Sequence, residues 1–285
     1  MKRGGDKSES ASASGQALSP VSTPSTPLIT LLTDFGISDY FVAAMKGVIL
    51  GANPKARIVD ITHDIPPYDI EAAAFTLLAV YKTFPARTVH VAVVDPGVGS
   101  SRRPILVRAA GQTFLGPDNG IFSYIYDREP DHRVFHLNNE RYFRLPVSAT
   151  FHGRDIFSPV AALISSGIDP GDLAAPIQDY ERMDSLNPVK LDHGRLAGRI
   201  IHIDHFGNCI TNFTERDLQS AGARRLAING KSITSFKRFF AETTDMRDKL
   251  FGIVGSTGFI EIAAQNASAA KLLKAKRGQV IVASA

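Results

Sequence analysis

Between Leu28 and Val94 three apolar runs, LITLL, ARIVDI and TVHVAVV, alternate with two stretches whose apolar residues recur at helical spacing. The spacing predicts strands over Leu28–Leu32, Ala56–Ile61 and Thr88–Val94, and helices over Phe41–Leu50 and Ile70–Thr83. A βαβαβ series of this kind folds as a largely parallel sheet with helices on its faces. Past residue 183 the texture changes to short runs such as RLAGRIIHIDHFGN and GQVIVASA, punctuated by Gly and Asn. That pattern predicts a small antiparallel, barrel-like sheet. The expected fold is therefore α/β: an N-terminal parallel-sheet domain over residues 28–185, a linker at 186–194, and a smaller C-terminal β domain over 195–285. Residues 1–27 are dominated by Ser, Ala, Gly, Pro and Thr, cannot bury enough apolar surface to offset ordering entropy, and are expected to form a disordered tail.

Composition narrows the function. Net charge is only +4 with the basic residues scattered, which disfavours a nucleic-acid partner. No apolar run approaches the ~20 residues that span a bilayer, and the N-terminal stretch lacks the apolar core of a secretory signal. No membrane association and a cytoplasmic location are the expectation. Cys209, the only cysteine, excludes an internal disulfide and a cysteine-rich zinc site; its strand-like surroundings predict a buried, inert thiol.

In open parallel sheets ligands bind beyond the carboxyl ends of the strands. Polar clusters fall at such ends: Thr33–Gly36, Thr62–Tyr68 and Asp95–Arg103. The last, within VVDPGVGSSRR, has the glycines of a phosphate cradle. However, RRPILVRAA after it is a strand pattern, so no helix N-terminus is available to hold a phosphate. An acid–base cluster fits better. Asp95 ends a buried strand, where burial raises a carboxyl pKa and a nearby arginine would keep it ionised. TFHGRDIF adds His152 and Arg154 ahead of a helix. Asp, Arg and His together position and deprotonate a water. His63–Asp64 has no second pair to make a metal site, and serine-hydrolase and zincin motifs are absent from the sequence.

The segments LITLLTDFGISDYFVAAMKGVI, VDITHDIPPYDIEAAA, VHVAVVDPGVGSSRRPI, FLGPDNGIF, TFHGRDIFSPVAA, IDHFGNCITN and GSTGFIEIAAQNASAA, in this order, resemble the S-adenosyl-L-methionine (SAM) hydroxide adenosyltransferase family, to which the fluorinases and chlorinases are related. The resemblance spans Leu28 to Ala285. It implies hydrolysis of SAM at C5′ to adenosine and L-methionine, with a catalytic Asp95–Arg102–His152 triad; Arg102 is preferred to Arg103 by the family's spacing of seven from the aspartate. It further implies that Asp34 binds the ribose diol and that Tyr68 and Phe151 line the ligand. Asp204 and Ser256 fall near the methionine end, Asn208 on the adenine, and Asn266 and Ala267 at the adenine edge. Sites in the family form between neighbouring subunits of a homotrimer, with SAM as substrate, no cofactor and no metal. Fluorinases carry tyrosine in place of Asp95, lack the histidine and have an extra loop, so the intact triad and short loop here favour the hydrolase. A SAM or adenosine sensor without turnover, and a halogenase, are the competing readings.

Overall fold

The computed structural model describes residues 28–242 and 249–285; the segment expected to be a disordered tail, residues 1–27, lies outside the described residues. Strands β1 (Leu28–Thr33), β2 (Arg57–Thr62), β3 (Val89–Val93), β4 (Pro104–Ala109), β5 (Gln112–Pro117), β6 (Arg133–His136) and β7 (Ala175–Ile177) form one sheet in the order β2-β1-β3-β5-β4-β6-β7. Pairing is parallel from β2 through β5, as the alternating pattern predicts, and antiparallel from β5 to β7. The switch comes at a two-residue hairpin whose turn, Ala110–Gly111, has positive φ at both positions. Such a turn matches the twist of the flanking strands.

β1 and β3 are buried on both faces because helices cover both sides. On one side lie α1 (Phe41–Ala52) and, later in the chain, a helix over Ser158–Ser165. Val42, Met45 and Ile49 recur on the buried face of α1, and Met45 and Ile49 pack with Ile29, Leu31, Val91 and Phe157. On the other side α2 (Ile70–Val80) and α3 (Ser123–Arg128) pack on Leu32, Ala92, Val94 and Phe114. Asp69 caps α2 by accepting from the Ala72 N–H at 3.0 Å. Met45 and Ile49 are fully buried, each worth about 2–3 kcal/mol of transfer free energy. The Ser158–Ser165 helix, α4, completes the N-terminal layer.

The second sheet is nearly closed and barrel-like. It comprises β8 (Val189–Lys190), β9 (Leu196–Ile203), β10 (Cys209–Thr214), β11 (Arg225–Ile228), β12 (Lys231–Ile233), β13 (Phe236–Lys237), β14 (Leu250–Val254), β15 (Phe259–Ala264) and β16 (Val280–Ser284). All pairings are antiparallel except β13 with β14. β8 falls inside the segment expected to be a linker and pairs with β9. Ile200, Phe213, Ile260, Ile262 and Ile281 fill the interior. Short helices α5 (Glu215–Ser220) and α6 (Ala269–Leu273) start on side-chain caps, Thr214 and Ser268.

α2 joins the two sheets. Phe75 stacks on His202 with ring centroids 5.0 Å apart. Glu71 accepts from Arg199 (3.1 Å) and Tyr124 (3.0 Å), and Arg277 pairs with Asp69. The ion pairs are partly solvated and worth little individually, so the buried Phe75 carries more of this interface. Among the described residues, no helix is long and apolar enough to cross a membrane.

Candidate active site

The ends of β1 and β3 and the loop after β2 deliver Asp34, Tyr68 and Asp95 to one cavity of about 330 Å3, which Phe151 and His152 close from the approach to α4. Phe35 and Phe41 complete an aromatic wall, each edge-on to Phe151 with centroids 5.9 and 5.2 Å away. Phe35 falls within the Thr33–Gly36 cluster read from the sequence, whereas the sequence marks Phe41 only as the start of a helix. A larger cleft of about 650 Å3 opens at the Ala110–Gly111 turn, beside Arg87, Arg108 and Arg133. Its lining brings together no nucleophile-activating pair, and the smaller cavity is the candidate site.

The loop after Asp95 doubles back through two turns, Val98 N–H to Asp95 O and Ser100 N–H to Gly97 O. Arg102 is thereby returned to Asp95. Its Nε donates to Oδ1 at 2.9 Å and its Nη2 to Oδ2, a bidentate fork with both side chains nearly buried. Arg103 points elsewhere, to Asp118 (2.8 Å) and Asp179 (3.0 Å). Arg154, considered beside His152 in the sequence, does not reach Asp95; it pairs with the adjacent Asp155 and lies over the Phe151 ring. Gly99 lets the two loops of the site meet. Its φ is +79°, and a Cβ there would stand 2.2 Å from the Ala149 carbonyl oxygen, so no other residue fits without displacing the strap that leads to His152.

His152 precedes a π-helical turn, Gly153–Phe157, that runs into α4. Ser158 donates both its N–H and its Oγ–H to the Gly153 carbonyl, which holds this wide turn. Turns of this kind inside helices recur at functional sites. Arg102 Nη2 lies 2.6 Å from His152 Nδ1. A guanidinium has only donors, so Nδ1 is the acceptor and the ring proton of neutral His152 resides on Nε2. Burial, and then the Arg102 charge, hold the His152 pKa below its ordinary value and favour that neutral form.

Asp34 Oδ2 accepts the Tyr68 N–H at 2.9 Å. Tyr68 sits in the left-handed region at φ 66° with an exposed ring, a conformation that costs energy for a bulky residue and recurs where function constrains the chain.

The C-terminal residues singled out in the sequence do not line this cavity within the chain. Asp204 Oδ1 and Oδ2 accept from the Asn208 N–H (2.8 Å) and Nδ2 (2.9 Å). The Gly207 carbonyl in the same turn accepts from Ala270, bringing the turn beside the loop that carries Asn266 and Ala267. Ser256, between β14 and β15, borders a small cleft against Phe75, Tyr81 and Arg128. Cys209 is fully buried and its thiol is pushed up to about 11 by burial, as expected of an inert core cysteine.

Residues 29–174 match the SAM hydroxide adenosyltransferase N-terminal domain, and residues 198–282 the C-terminal domain of the same family. The chain is 36% identical to an (R)-S-adenosyl-L-methionine hydrolase of Methanocaldococcus jannaschii, over 86% of this chain and 91% of that one. It is 34% identical to a protein of the same description from Thermus thermophilus, over 89% and 98%. A fluorinase of an Actinoplanes species is more distant, at 27% over 69% and 74%. The crystal structure of an uncharacterised conserved protein from Thermotoga maritima superposes with a TM-score of 0.84 at 30% identity, covering 90% of this chain and all of that one. Both halves of the molecule, the Asp95 cavity included, are thus accounted for by one lineage: the chain belongs to the SAM hydroxide adenosyltransferase family.

Proposed function

We propose that the protein hydrolyses SAM at C5′ to adenosine and L-methionine, and that its substrate is the (R)-sulfonium epimer for which its relatives are named. The observation that carries the reading is the Asp95–Arg102–His152 cluster, hydrogen-bonded end to end at the edge of an aromatic-walled cavity.

The sulfonium leaves as a neutral thioether and needs no general acid. A nucleophilic oxygen must stand in line with the C5′–S bond at roughly 3–3.5 Å. The O–C5′ bond forms as the C5′–S bond breaks with its electron pair on sulfur. Hydroxide and sulfonium charges cancel in the transition state, which a dry aromatic pocket favours over the separated ions. With Nδ1 occupied by Arg102, His152 donates from Nε2 to the nucleophile and does not accept its proton. The nucleophile is therefore hydroxide, the water's proton passing to solvent before attack, with the Arg102 charge lowering the cost of forming it. Asp95 holds Arg102 in place. No cofactor or metal takes part.

Asp34 binds the ribose diol, and Tyr68 and Phe151 enclose the nucleoside. Asp204, Asn208, Ser256, Asn266 and Ala267 come from a neighbouring subunit of a homotrimer. Two carboxyl groups meet there: Glu261 is buried near Asp204, and burial, with the Asp204 charge, raises its pKa, a shift that the ammonium of the methionine end would oppose. Incubation with each sulfonium epimer, followed by chromatography, is expected to give adenosine and methionine in equal amounts from the (R) form. Intact SAM, or tight binding without product, would leave a sensor; a 5′-halo-5′-deoxyadenosine in the presence of halide would make it a halogenase.

A further inference from the structure

The buried Thr33–His63 pair has no part in the chemistry above, yet it grips the turn that carries Asp34. Thr33 is fully buried and His63 is 5% exposed. Thr33 Oγ1 and His63 Nδ1 are 2.8 Å apart. The Phe35 N–H donates to the same hydroxyl oxygen at 3.3 Å. His63 Nε2 faces Asp60 Oδ1 at 3.2 Å, too obliquely for an aligned hydrogen bond, but the carboxylate favours the imidazole proton on Nε2 and so makes Nδ1 the acceptor of the Thr33 hydroxyl proton. Asp60 is in turn held by Lys46 at 2.6 Å. The His63 carbonyl accepts from Gly36 at 2.8 Å. Residues 33, 35 and 36, on both sides of Asp34, are therefore all fixed by this pair, and His63 itself lines no part of the cavity.

We infer that His63 is a positioning residue for nucleoside recognition, acting through the Thr33 hydroxyl to aim the Asp34 carboxylate at the ribose diol; this rests on the reading of Asp34 as the diol-binding residue. A core histidine that served only stability would weaken every ligand alike. A histidine that aims Asp34 weakens only ligands carrying the diol.

Binding of adenosine and of 2′,3′-dideoxyadenosine, which lacks the diol, separates the two, alongside steady-state turnover of SAM. Thr33→Val is expected to raise KM and the adenosine Kd about tenfold, as loss of a buried hydrogen bond does, while kcat and the dideoxyadenosine Kd change by less than about twofold. Thr33→Ser, which keeps the hydroxyl, is expected to recover most of the adenosine affinity lost in Thr33→Val. His63→Leu should match Thr33→Val, and the double variant should be no worse than either, since both remove one bond. Additive losses, or equal weakening of both ligands by Thr33→Val, overturn the inference. Asp34→Ala tests the reading beneath it. If Asp34→Ala weakens adenosine and dideoxyadenosine equally, the diol assignment falls; if it weakens adenosine alone while Thr33→Val weakens both equally, only the role of His63 falls. Should His63→Leu not fold, His63→Asn puts an acceptor at the Nδ1 position and is expected to retain diol selectivity.

Discussion

The two sheets present their polar residues in opposite ways. On the N-terminal sheet, Asp95, Arg102 and His152 are bonded to one another around a formed cavity, and the strap carrying His152 is pinned at Gly99. On the C-terminal barrel, Asp204 and Asn208 satisfy each other, and the neighbouring Phe206 is left 76% exposed. Reacting groups need geometry fixed before substrate arrives, because misplacement by an ångström is costly in rate. Groups that only enclose a substrate can be supplied when another surface docks. On the proposed mechanism, the difference between the sheets is a division between chemistry and enclosure.

The sharpest way to break that division is to strike the cluster. Arg102→Met should lower kcat by at least about a thousandfold, since it removes the charge beside the nucleophile and the partner of His152. It also strands Asp95, nearly buried, at a cost of about 3–5 kcal/mol in denaturant unfolding. Turnover within tenfold of the parent would mean that the reaction happens elsewhere. His152→Ala should cost roughly a hundredfold in kcat with little change in KM. The pH profile sharpens the same point. The His152 pKa is depressed, so the neutral ring persists somewhat below the usual histidine range; kcat should rise with pH as the bound water ionises and fall more steeply on the acid side once pH drops through that lowered value. Protonation puts a hydrogen on Nδ1 and expels the Arg102 N–H. A profile that rises on acidification would require His152 to act as a cation and would overturn the tautomer.

Much of the N-terminal half was legible because each level agreed: continuous apolar strands, helical spacing between them, and polar residues at the strand ends. The antiparallel half of the sheet was not foreseen. β4 and β5 meet through Ala110–Gly111, and an alanine at positive φ is not a hairpin signal that composition carries. β8 was hidden for a different reason, since two exposed residues in a polar stretch make no pattern. Within the site, the resemblance alone, through the family's spacing, selected Arg102 over Arg103, and the structure puts Arg102 on Asp95. Thr33 and His63 lie 30 residues apart, and their bond follows from the register of β1 on β2, which no local motif encodes. The π-helical turn after His152 was equally silent, as its residues are ordinary helix formers apart from Gly153.

Glycine substitutions compare the rigidity of the two sheets directly. Gly99→Ala meets both a positive φ and the Ala149 carbonyl, and should destabilise by about 2 kcal/mol or more, with loss of turnover as the strap moves. Gly222, after α5, has φ +61° with open space around it, so Gly222→Ala should cost only about 1 kcal/mol and leave kcat alone. Equal costs in denaturant melts would remove the argument that the N-terminal loops are locked together.

The smallest expected signal concerns enclosure by a neighbour. Asp95→Asn disables the N-terminal half of a site and Asp204→Ala the C-terminal half. If each site joins halves from different subunits, unfolding and refolding the two inactive proteins together creates sites with both halves intact. Random assembly gives about a quarter of the parent's sites. Recovered turnover near that level, absent when the variants are refolded separately and then combined, is the expected outcome. No recovery, with mixed oligomers present by mass spectrometry, would place both halves of each site in one chain. The Asp204 turn would then have to move to the Asp95 cavity within a protomer, against the Phe75–His202 stack and the Glu71–Arg199 pair that hold the sheets where they are.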